Sequence, residues 1–128
     1  MPHLHIEYSP NLERYVAVQD VCRAAWEVMK ESELFPLAGI RVRAFAADHC
    51  IVADDHPDND FVAMTLSVGA GREKAALKAA GERLFSAVQD ALAAPLATTH
   101  FALSLEIREI DAALGWKDTP IHSRLSQH

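Results

Sequence analysis

Two stretches of this chain, 1–47 and 61–107, carry the same succession of hydrophobic patterns. Each begins with residues alternating apolar and polar, passes into an apolar stripe at helical spacing, and ends in alternation again. A strand, a helix and a strand in that order, with short connections, predict a parallel strand pair joined by a crossover helix. Repeating the unit at an offset of roughly 60 residues predicts a tandem β-α-β duplication. The expected fold class is α+β built from α/β-type β-α-β repeats: one four-stranded sheet with two helices on one face. The first half runs over about 1–52, the second over about 60–110, and 111–128 form a C-terminal tail.

In the first half, Pro2, Leu4, Ile6 and Tyr8 share one strand face, and His3, His5 and Glu7 the other. Ser9-Pro10 reads as an N-cap and first helical position. Leu12, Tyr15/Val16, Cys22, Trp26 and Met29, widened by Val18 and Val21, then predict one amphipathic helix of about five turns. Pro36 and Gly39 punctuate the connector Phe35–Gly39. Ile40, Val42 and Ala44 alternate with Arg41, Arg43 and Phe45 in the next strand, which His49–Val52 continue or bulge. The acid-rich Asp54–Asp60 is expected to be a solvated loop.

In the second half, Val62, Met64, Leu66 and Val68 define one strand face. Gly69-Ala70-Gly71 breaks the strand and Arg72 opens the second helix, whose inner stripe is Leu77, Ala80, Leu84, Val88 and Leu92, with Phe85 and Ala91 beside it. Pro95 ends it. Phe101, Leu103, Leu105 and Ile107 alternate with Ala102, Ser104, Glu106 and Arg108 in the fourth strand. Trp116 and Ile121 in the polar tail suggest docking on a neighbour. With both helices on one face, the other sheet face is left bare, and apolar residues such as Phe45 point to association around it.

The chain's 128 residues fit a single domain, 1–128, able to bury its own core. A formal net charge of −6 argues against a nucleic-acid surface, so an anionic ligand needs a local cationic pocket. The two cysteines, Cys22 and Cys50, form no CxxC pair; they read as reduced core thiols in a cytoplasmic protein. No apolar run is long enough for a membrane span, and the N-terminus lacks a signal peptide's basic start.

Chemistry concentrates at the N-terminus. If Met1 is removed, Pro2 is a secondary amine fixed at the head of a strand, which makes it a positioned base. Arg41 and Arg72 both fall near strand ends, where sites form. Gly69-Ala70-Gly71-Arg72 lacks both GxGxxG and GxxxxGK[ST], so it reads as a tight turn presenting an arginine, not as a nucleotide loop. Of the seven histidines, His3 and His5 share a face, and His49 and His56 cluster with Asp54 and Asp55, yet no HExxH or Cys/His spacing supports a catalytic metal. No GxSxG elbow appears.

MPHLHIEYS at 1–9, FPLAGIRVR at 35–43, FVAMTLSVGAGR at 61–72 and LSLEIREI at 103–110 together resemble the tautomerase superfamily and, within it, the 5-carboxymethyl-2-hydroxymuconate isomerase family. That resemblance implies a homotrimer with sheets lining a central core and helices outside. It implies removal of Met1, Pro2 as general acid/base, and Arg41 and Arg72 as the residues that bind and polarise substrate. No cofactor and no metal are implied. The resemblance further implies that the small anionic dienol of homoprotocatechuate degradation is the substrate, converted to its 2-oxo-3-ene isomer.

The residues are chemically suited to that reaction. Moving one proton from the 2-hydroxyl to carbon 5 needs one base that takes and returns it. Partial burial and two guanidinium groups disfavour a protonated amine. The same arginines can hold carboxylates and stabilise charge on the 2-oxygen. Two alternatives stand beside this reading. One is another tautomerase-type reaction on a small oxo acid; the other is a non-catalytic trimeric binding protein that retains Met1.

Overall fold

The computed structural model describes residues 2–126. The strands are β1 (His3–Tyr8), β2 (Arg41–Ala46), β3 (Asp60–Gly69) and β4 (Phe101–Ile110). The helices are α1 (Val18–Glu31), α2 (Lys74–Ala91), the short α3 (Ala93–Leu96) and α4 (Pro120–Leu125). One sheet has the order β2-β1-β3-β4. β1 and β2 are parallel, as are β3 and β4, while β1 and β3 meet antiparallel at the centre. The tandem β-α-β duplication is therefore the architecture, and the antiparallel seam joins its halves back to back.

The register fixes which residues share a face. Val42, Leu4, Leu66 and Ile107 form one cross-strand row, and Ala44, Ile6, Met64 and Leu105 the next. These rows meet the helices. Leu4, Ile6, Val62, Met64, Leu66 and Val68 are at most 1% exposed, which makes the central strands the floor of the core. Val21, Ala25 and Met29 of α1 and Leu77, Ala80, Leu84 and Val88 of α2 cover them, at the i, i+4 and i, i+3 intervals of a helix face. The two helices also touch each other.

Several local readings are corrected. The single five-turn helix is instead a 3₁₀ turn over Pro10–Arg14, a break, and α1 of 14 residues. Ser9 and Pro10 do stand at the N-cap and first position of that 3₁₀ turn, but the Ser9 side chain makes no cap bond because its hydroxyl is engaged elsewhere: it donates to Asp60 Oδ1 at 2.7 Å and accepts from the Phe61 amide at 3.0 Å. Asp60, expected in solvent, is buried at 2% exposure and paired with Arg14 at 3.0 Å. His49–Val52 do not continue β2, whose last rung is the Ala47 amide on the Tyr8 carbonyl, and Cys50 lies exposed in the loop beyond. Arg72 does not open α2, which begins two residues later.

The bare sheet face is more polar than expected. Arg41, His3, Ser67 and Arg108 form one row across it, and Arg43, His5, Thr65 and Glu106 the next. Phe45 is its large apolar residue on β2, half-exposed and stacked on His5 with ring centroids 5.0 Å apart. Beyond β4 the tail makes a 3₁₀ turn over Ala112–Leu114 and returns as α4 against Leu37–Gly39. Trp116, on the way, is 88% exposed on the single chain. Among the described residues no helix is long and apolar enough to cross a membrane.

Candidate active site

Because β1 and β2 run parallel and β3 runs against them, the starts of β1 and β2 and the finish of β3 fall at one end of the sheet. Pro2, Arg41 and the turn carrying Arg72 are all at that end. Pro2 is buried, and its carbonyl accepts the Arg41 amide at 3.1 Å as the first link between β1 and β2. Met1 lies outside the described residues, and so does the expectation that it is removed.

Each arginine is anchored by backbone carbonyls. Arg41 Nη1 donates to the carbonyls of Ala38 at 2.8 Å and Ile40 at 3.1 Å. Those carbonyls face it because Pro36, held at φ −66°, ends the extended chain and a 3₁₀ turn over Leu37–Gly39 follows, closed by Gly39 and Ile40 amides on the Pro36 and Leu37 carbonyls. Arg72 Nη1 donates to the Gly69 carbonyl at 2.9 Å and Nε to the Leu34 carbonyl at 3.3 Å. Its guanidinium carbon lies 5.9 Å from the centre of the Phe35 ring. The turn that returns Arg72 toward the sheet depends on Gly71 at φ +115°, a backbone state that L side chains avoid.

One segment, Leu34–Ile40, therefore orients both cations. The sequence reads Phe35–Gly39 as a connector and 35–43 as part of a family resemblance, without an anchoring role for its carbonyls. The signal was present in Pro36 and Gly39, which predict a turn; which carbonyls that turn would aim at an arginine depends on tertiary packing. Carbonyl anchors also differ from carboxylates in charge. They fix a guanidinium without neutralising it. The ion pairs among the described residues are His5–Glu7, Arg14–Asp60 and Arg108–Glu106, so neither Arg41 nor Arg72 is spent on an internal acid.

His3, weighed from the sequence only as a histidine sharing a face with His5, is a second feature of this end. It stands on the bare face next to Arg41 in the parallel register, and its Nε2 is buried with no hydrogen-bond partner. Burial, then the positive charges of Arg43 and Arg41, hold its pKa below the usual 6.5, so the ring is neutral at neutral pH. Cys22 is half-buried, and burial raises its thiol pKa, opposite to the shift that a nucleophile requires.

An open groove of about 1040 Å³ between α2 and β4 reaches Arg72 and is lined by Leu77, Phe85, Leu105 and Ile107. Neither Pro2 nor Arg41 lines it. The three residues thus share a sheet end and an anchoring segment, but this groove does not unite them within one chain. The candidate metal-binding trio found among the described residues, His56, Asp58 and His100, is at the opposite end, beside the start of β3 and β4.

Known proteins share this sequence and fold. A sequence profile of the 5-carboxymethyl-2-hydroxymuconate isomerase family matches residues 2–125. The 5-carboxymethyl-2-hydroxymuconate Delta-isomerase of Escherichia coli is 34% identical over 123 residues, 96% of this chain and 98% of that protein. The crystal structure of a 5-carboxymethyl-2-hydroxymuconate isomerase from Deinococcus radiodurans R1 is 35% identical, with a TM-score of 0.89 over 97% of this chain and 93% of that one. A fused 4-OT wild-type symmetric trimer, 13% identical with a TM-score of 0.65 over 91% and 93% of the two chains, shares the fold. With a family profile spanning nearly every described residue, the chain belongs to the 5-carboxymethyl-2-hydroxymuconate isomerase family, and it is an enzyme of the isomerase class.

Proposed function

We propose that the protein, after loss of Met1, isomerises 5-carboxymethyl-2-hydroxymuconate to its 2-oxo-3-ene form without a cofactor, in the degradation of homoprotocatechuate in the cytoplasm. The Pro2 nitrogen takes the proton of the 2-hydroxyl. Electrons move along the dienol, the 2-oxygen becomes a carbonyl, the double bonds shift, and the same proton is returned to carbon 5. One base suffices because proton donor and acceptor belong to one substrate. Arg41 and Arg72 bind the carboxylates and stabilise negative charge building on the 2-oxygen.

The observation that carries this reading is the pair of arginines held by carbonyls and unneutralised, at the sheet end where Pro2 is buried. A substrate with several carboxylates supplies the missing negative charge. The E. coli and Deinococcus relatives bear the name of this activity, which supports the choice of substrate.

Three copies of the chain assemble around their bare sheet faces, and the neighbouring copy closes the pocket that the single chain leaves open. A homotrimer is consistent with the fold shared with the fused 4-OT trimer and with the polar rows on the bare face, which need partners other than an apolar lid.

Intact-mass measurement of native protein, followed by ultraviolet assay on a panel of dienols, tests the proposal. Mass short by one methionine and turnover of the carboxymethyl dienol support it. Pro2→Ala should lower kcat by about 10²-fold or more, the scale of a lost general base. A native protein that keeps Met1, or one that prefers a keto–enol substrate such as phenylpyruvate, overturns the assignment.

A further inference from the structure

We propose that His56, Asp58 and His100 form a binding site for a divalent transition ion of the Zn²⁺ type, separate from the reaction end of the sheet. Each residue offers a ligand atom, and the three atoms lie within 4.8 Å of one another. The site bridges the 47–59 loop and the start of β4. Pro2 sits at the other end of β3, a strand of ten residues, which separates the two places by roughly 30 Å at about 3.3 Å per residue.

The donor set decides the class of ion. Two imidazoles and one carboxylate suit zinc, nickel or copper, whereas magnesium and calcium require mostly oxygen. The surroundings prepare His100 in particular. Asn59 Nδ2 donates to the Val52 carbonyl at 3.0 Å and to Asp54 Oδ1 at 2.7 Å, so its amide cannot turn round. Its Oδ1 therefore faces His100 Nδ1 at 3.0 Å and fixes the proton there. His100 Nε2 is left with a free lone pair, the tautomer that a metal ligand needs, and its second ring nitrogen is held as outer partners hold metal-bound histidines.

His56 is the adjustable partner. It is exposed, and its ring stacks on His100 with centroids 4.1 Å apart and planes at 23°. Stacked rings cannot both aim a lone pair at one ion, so His56 must swing out of the stack on binding. It gives up one bond, a 3.1 Å contact from the Asp58 amide to its Nδ1. One net hydrogen bond is a small opposing term for metal coordination. Arg14, the nearby cation, donates to the Asp58 carbonyl but is paired with Asp60 at 3.0 Å. Two positive-φ residues, Ala53 and Asp55, give this loop its shape.

Zinc binding to protein stripped with chelator, followed by calorimetry and by cobalt absorption, tests the site. The expected result is saturable uptake of one Zn²⁺ per chain, not displaced by Mg²⁺, a tetrahedral-type cobalt spectrum, and a higher melting temperature. The His56→Ala/His100→Ala double variant should lose that uptake with its circular dichroism unchanged. Asn59→Ala, which removes the outer partner, should weaken it about tenfold. If the double variant does not fold, His56→Ala alone decides, since that exposed ring supports no core contact. Uptake that never saturates in the wild type, or that persists when these histidines are removed, overturns the proposal. Every readout is independent of the isomerase reaction.

Discussion

At the scale of single residues, the two arginines are distinguished by what they do not touch. A guanidinium offers five N–H donors. Arg41 uses Nη1 on Ala38 and Ile40, and Arg72 uses Nη1 and Nε on Gly69 and Leu34, which leaves donors in the same rigid plane for a carboxylate. A lysine keeps the charge but not the plane, so it cannot hold two carbonyls in place and still present a fork. Arg41→Lys and Arg72→Lys should each lower kcat/KM for the dienol by about 10²-fold, close to the loss in the alanine variants. Steady-state kinetics followed by ultraviolet absorbance measures this, and lysine variants near wild type would show that charge alone suffices. His3 gives a different prediction. Its folded pKa is below 6.5, so below that pH the unfolded chain binds a proton that the native ring resists. Its contribution is constant above 6.5 and becomes destabilising as pH falls from 6.5 through the folded pKa. Thermal melting from pH 7.5 to 5 should fall more steeply for the wild type than for His3→Gln. Parallel curves would mean that His3 takes up its proton without cost.

At the scale of elements, what was legible in the sequence is what depends on periodicity. Leu4, Ile6 and Tyr8, and Val62, Met64, Leu66 and Val68, alternate without interruption, and all are buried. The stripe of α2 was equally plain, and Leu92, just past its end, is also fully buried. The misreadings occur where a polar side chain had two possible partners. Ser9 before Pro10 is a proper helix start by composition, yet Asp60, 51 residues away, takes its hydroxyl. Asp60 looked like the last of a solvated acidic run for the same reason: nothing local reveals that Ser9 and Arg14 will meet it. The triad joins the end of β1, the 3₁₀ turn and the start of β3, so it secures the crossover of the first half to the second. Asp60→Ala leaves Arg14 and Ser9 without their acceptor and should cost about 2 kcal/mol, the scale of hydrogen bonds to a charged group, with Arg14 partly solvated. Asp60→Asn keeps the Ser9 bond and should cost less. Urea denaturation resolves the two, and equal, small losses would mean that water replaces the triad. For the candidate site, Pro2, Arg41 and Arg72 were visible as residue types near strand ends. The carbonyls of Leu34, Ala38 and Gly69 were not, because every residue has a carbonyl and only the fold decides its direction.

At the scale of the whole molecule, the single chain is finished on its helix side and unfinished on its sheet side and in its tail. The rows Arg41–His3–Ser67–Arg108 and Arg43–His5–Thr65–Glu106 carry both charge signs and hydrogen-bonding groups, suited to registering one copy against another rather than to driving collapse. Apolar area for association comes from elsewhere. Leu114 is 70% exposed and Trp116 88%, in a tail that leaves β4 beside Gly69 and ends on Leu37–Gly39, the turn holding Arg41. The tail thus begins and ends at the reaction end of the sheet, where the proposed trimer would have a neighbouring copy close the pocket. Burying a tryptophan removes about 150–250 Å² from water, and such residues commonly contribute 2 kcal/mol or more to an interface. Trp116 should therefore act as an anchor between copies. Dilution should shift its emission to the red as the assembly dissociates. Trp116→Ala should raise the concentration at which sedimentation detects monomer by about 30-fold or more, the equivalent of about 2 kcal/mol. Activity should fall with it at low protein concentration and recover at high, because the lost function is assembly and not chemistry. A variant that sediments like the wild type at every concentration would place the interface on the sheet rows alone.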